Sequence, residues 1–185
     1  MISKKQQIPD MDLLLIRHAE SARVGSPGIS SDEERTLTPT GRFKTQRAAL
    51  ALNALGVRLN AILASAYPRA VETAQILAEN LIHTPQVRPC DALLPNAPQQ
   101  RLLDEIRRAF ELRSVALCGH EPDLSRLASI FLGGDNAEPT LLFHTGAIAY
   151  LKLHSHSEPL AGSLHWFLNS HQLELISYAK PPCDF

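Results

Sequence analysis

The sequence predicts an α/β fold, a three-layer sandwich in which a mostly parallel sheet carries helices on both faces, within one domain covering residues 1–185. Three observations carry this. Short apolar runs alternate along the chain with longer segments of helical period. The first run, Asp12-Leu-Leu-Leu-Ile-Arg17, is continuously apolar and ends abruptly in charge, as a strand buried on both faces should. And 185 residues with 44% apolar side chains can bury one substantial core but cannot make two large domains and a linker.

The elements follow in order. Residues 1–11 read as a flexible N-terminal segment, and the strand 12–17 delivers Arg17 and His18 at its carboxyl end. From Ala19 to Leu37 the chain turns to Ser, Gly, Pro and charge with no period, which reads as a surface loop. Thr38-Pro39 sets a hydroxyl cap before a proline at the first helical position; Phe43, Ala48, Leu50, Ala51, Leu52 and Leu55 follow as an apolar stripe until Gly56 stops the helix. Leu59 to Ala64 is a second strand. Pro68 opens a helix striped by Ala70, Thr73, Ala74, Leu77, Ala78 and Leu81, with Arg69 on its first turn. The stretch Pro85 to Pro98 is irregular, with a brief strand around Val87, and Leu102, Leu103, Ile106 and Phe110 mark a third helix. Ser114 to Cys118 is another buried strand, ended by Gly119-His120; Pro122 opens a helix that runs to Leu132 and closes at Gly133-Gly134. Ala147–Leu153 and Ser163–Leu168 read as an antiparallel pair at one side of the sheet.

Composition narrows the function classes. Eighteen basic and 19 acidic residues leave a formal charge of -1, so no overall field gathers the protein onto nucleic acid or an anionic membrane, and any anion site must be local. Cys90, Cys118 and Cys183 form no CxxC pair, and their odd number fits reduced thiols. No apolar stretch is long enough to span a bilayer, and the lysines near the start are not followed by a signal-peptide core, so the cytoplasm is the expected compartment.

In parallel sheets ligands collect beyond the carboxyl ends of the strands. Three strands end there in polar residues: Arg17-His18, Ser65 with Arg69 just after it, and Gly119-His120. Two arginines and two histidines at one sheet edge form a cationic pocket suited to a tetrahedral dianion, because guanidinium forks match pairs of phosphate oxygens. An imidazole with one unprotonated nitrogen accepts a phosphoryl group, and neighbouring arginines favour that neutral form by like-charge repulsion. His18, fixed by a buried strand, is the expected nucleophile, and His120 the donor across the pocket. The scheme requires no metal and no cofactor. Any one such residue alone would read as an ordinary hydrogen-bonded side chain, which is the reading for His83, His144, His154, His156, His165 and His171; His154 and His156 lack the partners of a zinc site.

Arg17-His18-Ala19-Glu20-Ser21 after an apolar strand resembles the RHG signature of the histidine phosphatase superfamily, with Ala19 where glycine is usual. Ser65-Ala-Tyr-Pro-Arg69-Ala-Val-Glu-Thr73-Ala resembles a second segment of that family, and Gly119-His120-Glu-Pro-Asp-Leu124 its second-histidine motif, in the right order. Arg35-Thr-Leu-Thr38 with Gly41, Phe143-His-Thr-Gly-Ala-Ile148 and Gly162-Ser-Leu-His-Trp166-Phe-Leu bring the chain nearest to the SixA-type phosphohistidine phosphatases. The resemblance implies a phosphoglycerate mutase-like fold, compact and without a large inserted lid. It also implies a phosphohistidine intermediate on His18, and phosphate bound by Arg17, Arg69 and His120 without a metal.

The family's general acid has no clear counterpart among Asp91, Asp104, Glu105 and Glu111. One branch places an acid just after the second histidine, which nominates Glu121; a carboxylate beside Pro122 also serves as charge at a helix start. Ser21 either contacts phosphate or bonds to its own loop. A labile P–N bond needs less acid assistance than an alkoxide leaving group, which favours a phosphohistidine displayed on a signalling protein over a small phosphorylated metabolite such as a sugar phosphate or nucleotide. A catalytically silent phosphate-binding module is the reading from another class, although mere capture would gain more from another arginine than from His18. Arg23, Asp32, Glu33, Glu34 and Arg35 in the 19–37 loop are the candidate specificity residues.

Overall fold

A computed structural model describes residues 9–134, 138, 141–155 and 157–179 of the chain. The part of the expected flexible segment that covers residues 1–8, together with His156 and Cys183, lies outside them. The boundary expected at residue 11 moves back: Met11 already opens the first strand and is fully buried, and the Asp10 carboxylate accepts the Ser155 N–H at 3.2 Å.

One mixed sheet organises the molecule. Its strands in chain order are β1 (Met11–Arg17), β2 (Ala61–Ala64), β3 (Gln86–Pro89), β4 (Ser114–Gly119), β5 (Ile148–Leu153) and β6 (Gly162–Leu168), and their spatial order is β3-β2-β4-β1-β5-β6. The four strands from β3 to β1 run parallel, and β5 and β6 add the antiparallel pair expected at one side. Parallel strands need crossovers. The three are supplied by α1 (Pro39–Ala54), α2 (Pro68–Asn80) and α3 (Gln99–Ala109), while α4 (Asp123–Gly133) leads from β4 to the antiparallel β5.

Alternation along β1 assigns the layers. Leu13 and Leu15 point into one core with Val115 and Leu117 of β4, covered by Leu102 and Ile106 of α3 and by Leu124, Leu127 and Phe131 of α4. Leu14 and Ile16 point into the other with Ile62, Ala116 and Cys118, covered by α1 and α2. Successive residues of a strand face opposite sides, so a run apolar at every position is what a strand with two covered faces requires.

The α2 stripe read from sequence is buried throughout, but the α1 stripe needs correction. Ala48, Ala51 and Leu52 are buried as expected, but Phe43, Leu50 and Leu55 are exposed at 47%, 41% and 41%, and Gly41, Thr45 and Ala49 complete the buried face of α1. Small side chains let α1 lie close to its neighbours. A Cβ on Gly41 would come within 2.1 Å of the Glu20 carbonyl oxygen, so only glycine fits there.

Strand β2 begins at Ala61 rather than Leu59, and Pro122 caps α4 from outside instead of starting it. A fifth helix, α5 (Ser170–Ser177), went unread although its signal is present: Asn169 and Gln172 form a reciprocal capping box. It packs Leu173 into the α1 side of the core. Among the described residues no helix is long and apolar enough to cross a membrane.

Candidate active site

The carboxyl ends of β1, β2 and β4 are adjacent in the sheet, and their polar termini meet. Backbone bonds fix them: His18 N–H donates to the Gly119 carbonyl at 3.1 Å, Ser65 N–H to the Cys118 carbonyl at 3.0 Å, and Gly146 N–H to the carbonyl of His18 at 3.1 Å. Gly146 holds φ at +74°, a conformation that glycine adopts without strain. His18, Arg69 and His120 are 6%, 3% and 4% exposed, and the two imidazole centroids lie 5.1 Å apart.

The hydrogen bonds of His18 identify its tautomer. Nδ1 lies 2.8 Å from the Ala19 carbonyl oxygen, which can only accept, so Nδ1 carries the proton. Nε2 is therefore the lone-pair nitrogen, and it accepts from Nε of Arg69 at 3.2 Å. Burial, assisted by Arg69, Arg17 and Arg35, pushes the His18 pKa down to about 4 against the pull of the Ala19 carbonyl. Ala19 is itself held in place, its N–H donating to the Thr73 hydroxyl at 3.1 Å.

His120 bonds through Nε2 to the Ser65 hydroxyl at 2.9 Å, while its buried Nδ1 has no partner among the described residues. Burial first, then His18 and Arg69, pushes its pKa down to about 3. Tyr67 packs edge-on against the His120 ring at 5.4 Å. Arg17 donates Nη1 to the Phe143 carbonyl at 2.5 Å, and its buried Nε likewise has no partner among the described residues. A tetrahedral oxyanion supplies acceptors where Arg17 lacks one and faces two histidines that are neutral at pH 7.

Two further residues fall elsewhere in the constellation. Glu121 accepts from the Ser125 hydroxyl at 2.8 Å and the Phe143 N–H at 3.2 Å through the same oxygen, so it ties the first turn of α4 to the segment that holds Arg17. The Ser21 hydroxyl accepts Nη2 of Arg35 at 2.9 Å. Asp32 and Arg35, candidate specificity residues from sequence, reach further into the site than that reading specifies: Asp32 bonds directly to Arg69, with Oδ2 2.8 Å from Nη2. Nothing in the sequence pattern marks which of the loop's three successive acidic residues makes that bond.

Residues 13–93 match the family model described as histidine phosphatase superfamily (branch 1). Of curated proteins, an uncharacterized protein of Picosynechococcus is 32% identical over 141 residues, covering 75% of this chain and 83% of that one. The mitochondrial serine/threonine-protein phosphatase PGAM5 of Mus musculus is 37% identical over 86 residues, covering 46% of this chain; the chain spans only 28% of that relative's length. Of solved structures, the protein histidine phosphatase SixA complexed with tungstate superposes with a TM-score of 0.77 at 22% identity, covering 88% of this chain and 99% of SixA. With three strand ends delivering Arg17-His18, Arg69 and His120 to one buried pocket and these likenesses across it, the chain belongs to the histidine phosphatase superfamily.

Proposed function

We propose that the protein is a cytoplasmic phosphohistidine phosphatase that acts through a phosphohistidine intermediate on His18. The observation that carries this reading is the state of His18: a buried, neutral imidazole whose Nε2 lone pair is held at Arg69 while Nδ1–H is anchored to Ala19. Such a nitrogen is nucleophilic without a separate base.

In the first step Nε2 forms a bond to phosphorus as the substrate P–N bond breaks. The departing imidazole keeps that electron pair and takes a proton from solvent. In the second step a water oxygen bonds to phosphorus, the P–Nε2 bond breaks with its pair returning to Nε2, and the water protons pass to the phosphate and to solvent. Arg17 and Arg69 hold the equatorial oxygens, His120 donates a ring N–H as charge shifts in line, and the Ser21 hydroxyl contributes its proton from the loop side. Neither step calls for a metal.

In this scheme Oε1 of Glu121 braces Arg17 through its bonds to Phe143 and Ser125. A phosphoramidate tolerates that arrangement: its imidazole leaves without the strong acid an alkoxide demands. The likeness to SixA, a protein histidine phosphatase by description, and to PGAM5, a protein phosphatase, supports a protein-borne substrate.

Single-turnover reactions of wild type and His18→Ala, without added metal, against a phosphohistidine protein and p-nitrophenyl phosphate test this. Wild type should dephosphorylate the phosphohistidine far faster than the ester, and the variant should do neither. Comparable turnover of the ester would instead indicate a small-molecule phosphatase, and binding without reaction by both proteins a phosphate-binding module.

A further inference from the structure

The 19–37 loop brings a carboxylate into the cationic pocket. Asp32 divides its two oxygens between two arginines: Oδ1 accepts from Nη1 of Arg35 and Oδ2 from Nη2 of Arg69, each at 2.8 Å. Its backbone carbonyl takes Nη1 of Arg69 at 2.5 Å. One residue on, Glu33 faces the Tyr67 hydroxyl at 3.4 Å, and the Tyr67 ring lies between His120 and the Arg69 guanidinium, 4.9 Å from the latter. The loop is thus clasped across the site by consecutive acidic residues.

A carboxylate bridging two guanidinium forks uses the donors that two oxygens of a phosphate would use. The Arg69 side chain is 4% exposed whereas that of Asp32 is 53% exposed, so the donor is sequestered and its present acceptor is open to water and releasable. Arg35 and Arg69 hold the Asp32 carboxyl below the usual carboxylate range, which keeps it a competing anion at neutral pH.

Resting on the reading that Arg69 binds the transferred phosphoryl group, we propose that Asp32 is a specificity-determining residue: an internal carboxylate that competes with phosphate for Arg69 and discriminates against small free phosphate anions. A small anion must displace Asp32 with nothing to offset the lost ion pair. A phosphoryl group carried on a protein surface brings further contacts to the loop as Asp32 leaves, and Nη1 of Arg35 becomes available to it.

The test is calorimetric binding of inorganic phosphate, at fixed ionic strength, to the full chain as wild type, Asp32→Asn, Asp32→Ala, Glu33→Gln and Arg69→Ala, with thermal melts to confirm folding. Both Asp32 variants should bind phosphate about threefold to tenfold tighter than wild type. Glu33→Gln removes the same charge without touching Arg69 and should change affinity less than twofold, while Arg69→Ala should lose at least about tenfold. Unchanged or weaker binding in the Asp32 variants, with the Arg69 dependence intact, overturns the competition and makes Asp32 a brace for Arg69. Equal tightening by Glu33→Gln overturns it in favour of a general field effect. Binding indifferent to Arg69 overturns this inference and the proposed phosphate site together.

Discussion

His18 and His120 enter the pocket from strand ends whose N–H and carbonyl groups are paired with neighbouring strands, and Arg69 from the buried first turn of α2, whereas Asp32 and Arg35 enter it from a loop and are held by side-chain ion pairs that reach water. Both sets reach the same guanidinium. The strand-end set is positioned by two hydrophobic cores and cannot shift without disturbing them. The loop set is positioned by contacts that in water are individually weak. A site made this way holds Nε2 of His18 fixed and leaves its electrostatic occupancy adjustable.

The sharpest break between the two halves should come at Arg69, which belongs to both. Arg69→Ala removes the proposed phosphate fork and the hydrogen bond to Nε2 of His18, and kcat/KM toward a phosphohistidine protein should fall on the order of a thousandfold. Arg69→Lys should recover only part of this, because an ammonium cannot serve His18 and two phosphate oxygens in one planar fork. Full activity in the lysine variant would mean that charge alone, not geometry, defines the strand-end half.

The same contrast was visible in how far the sequence could be read. The carboxyl edge of the sheet was legible because residues 13–16 of β1 and 115–118 of β4 are apolar at every position, which forces two covered faces, and because the polar residue after each such run must then lie at the sheet edge. Half of the α1 stripe was misread for the opposite reason: Ala48, Ala51 and Leu52 are buried as expected, but the face is completed by Gly41, Thr45 and Ala49, whose weak hydrophobic signal is outvoted by Phe43, Leu50 and Leu55. The role of Asp32 could not be read, since a pattern of charges in an aperiodic loop does not specify which carboxylate meets which guanidinium across 37 residues. Helix α5 was missed although Asn169 and Gln172 announce its start.

Acid should discriminate next between the halves. In the unfolded chain an imidazole takes up its proton near pH 6.5, but His18 resists until about 4 and His120 until about 3. Between those values the unfolded state binds more protons, so stability falls as pH drops below about 6.5 and goes on falling until the folded groups titrate. For His18 the loss by pH 4 is on the order of 3 kcal/mol. Urea midpoints of wild type and His18→Asn between pH 7.5 and 4.5 read this directly: the variant should show the flatter acid limb. Parallel limbs would show that neutral His18 is not a cost of folding in acid, and would weaken the account of its nucleophilic state.

The smallest effect belongs to Thr38, where the loop rejoins the scaffold. Its hydroxyl accepts the Gly41 N–H at 3.0 Å as the cap of α1 and donates to Glu20 Oε1 at 2.9 Å, while its own N–H donates to the Glu20 carbonyl at 3.0 Å. Thr38→Ala should therefore cost about 1 kcal/mol, seen as a melting temperature lower by about 2 to 4 °C, and Thr38→Ser should restore it. If the loop acts on the site only through Asp32, phosphate affinity in Thr38→Ala should stay within twofold of wild type. A gain as large as that expected of Asp32→Asn would mean instead that the whole segment lifts as a unit, with the cap of α1 as its hinge.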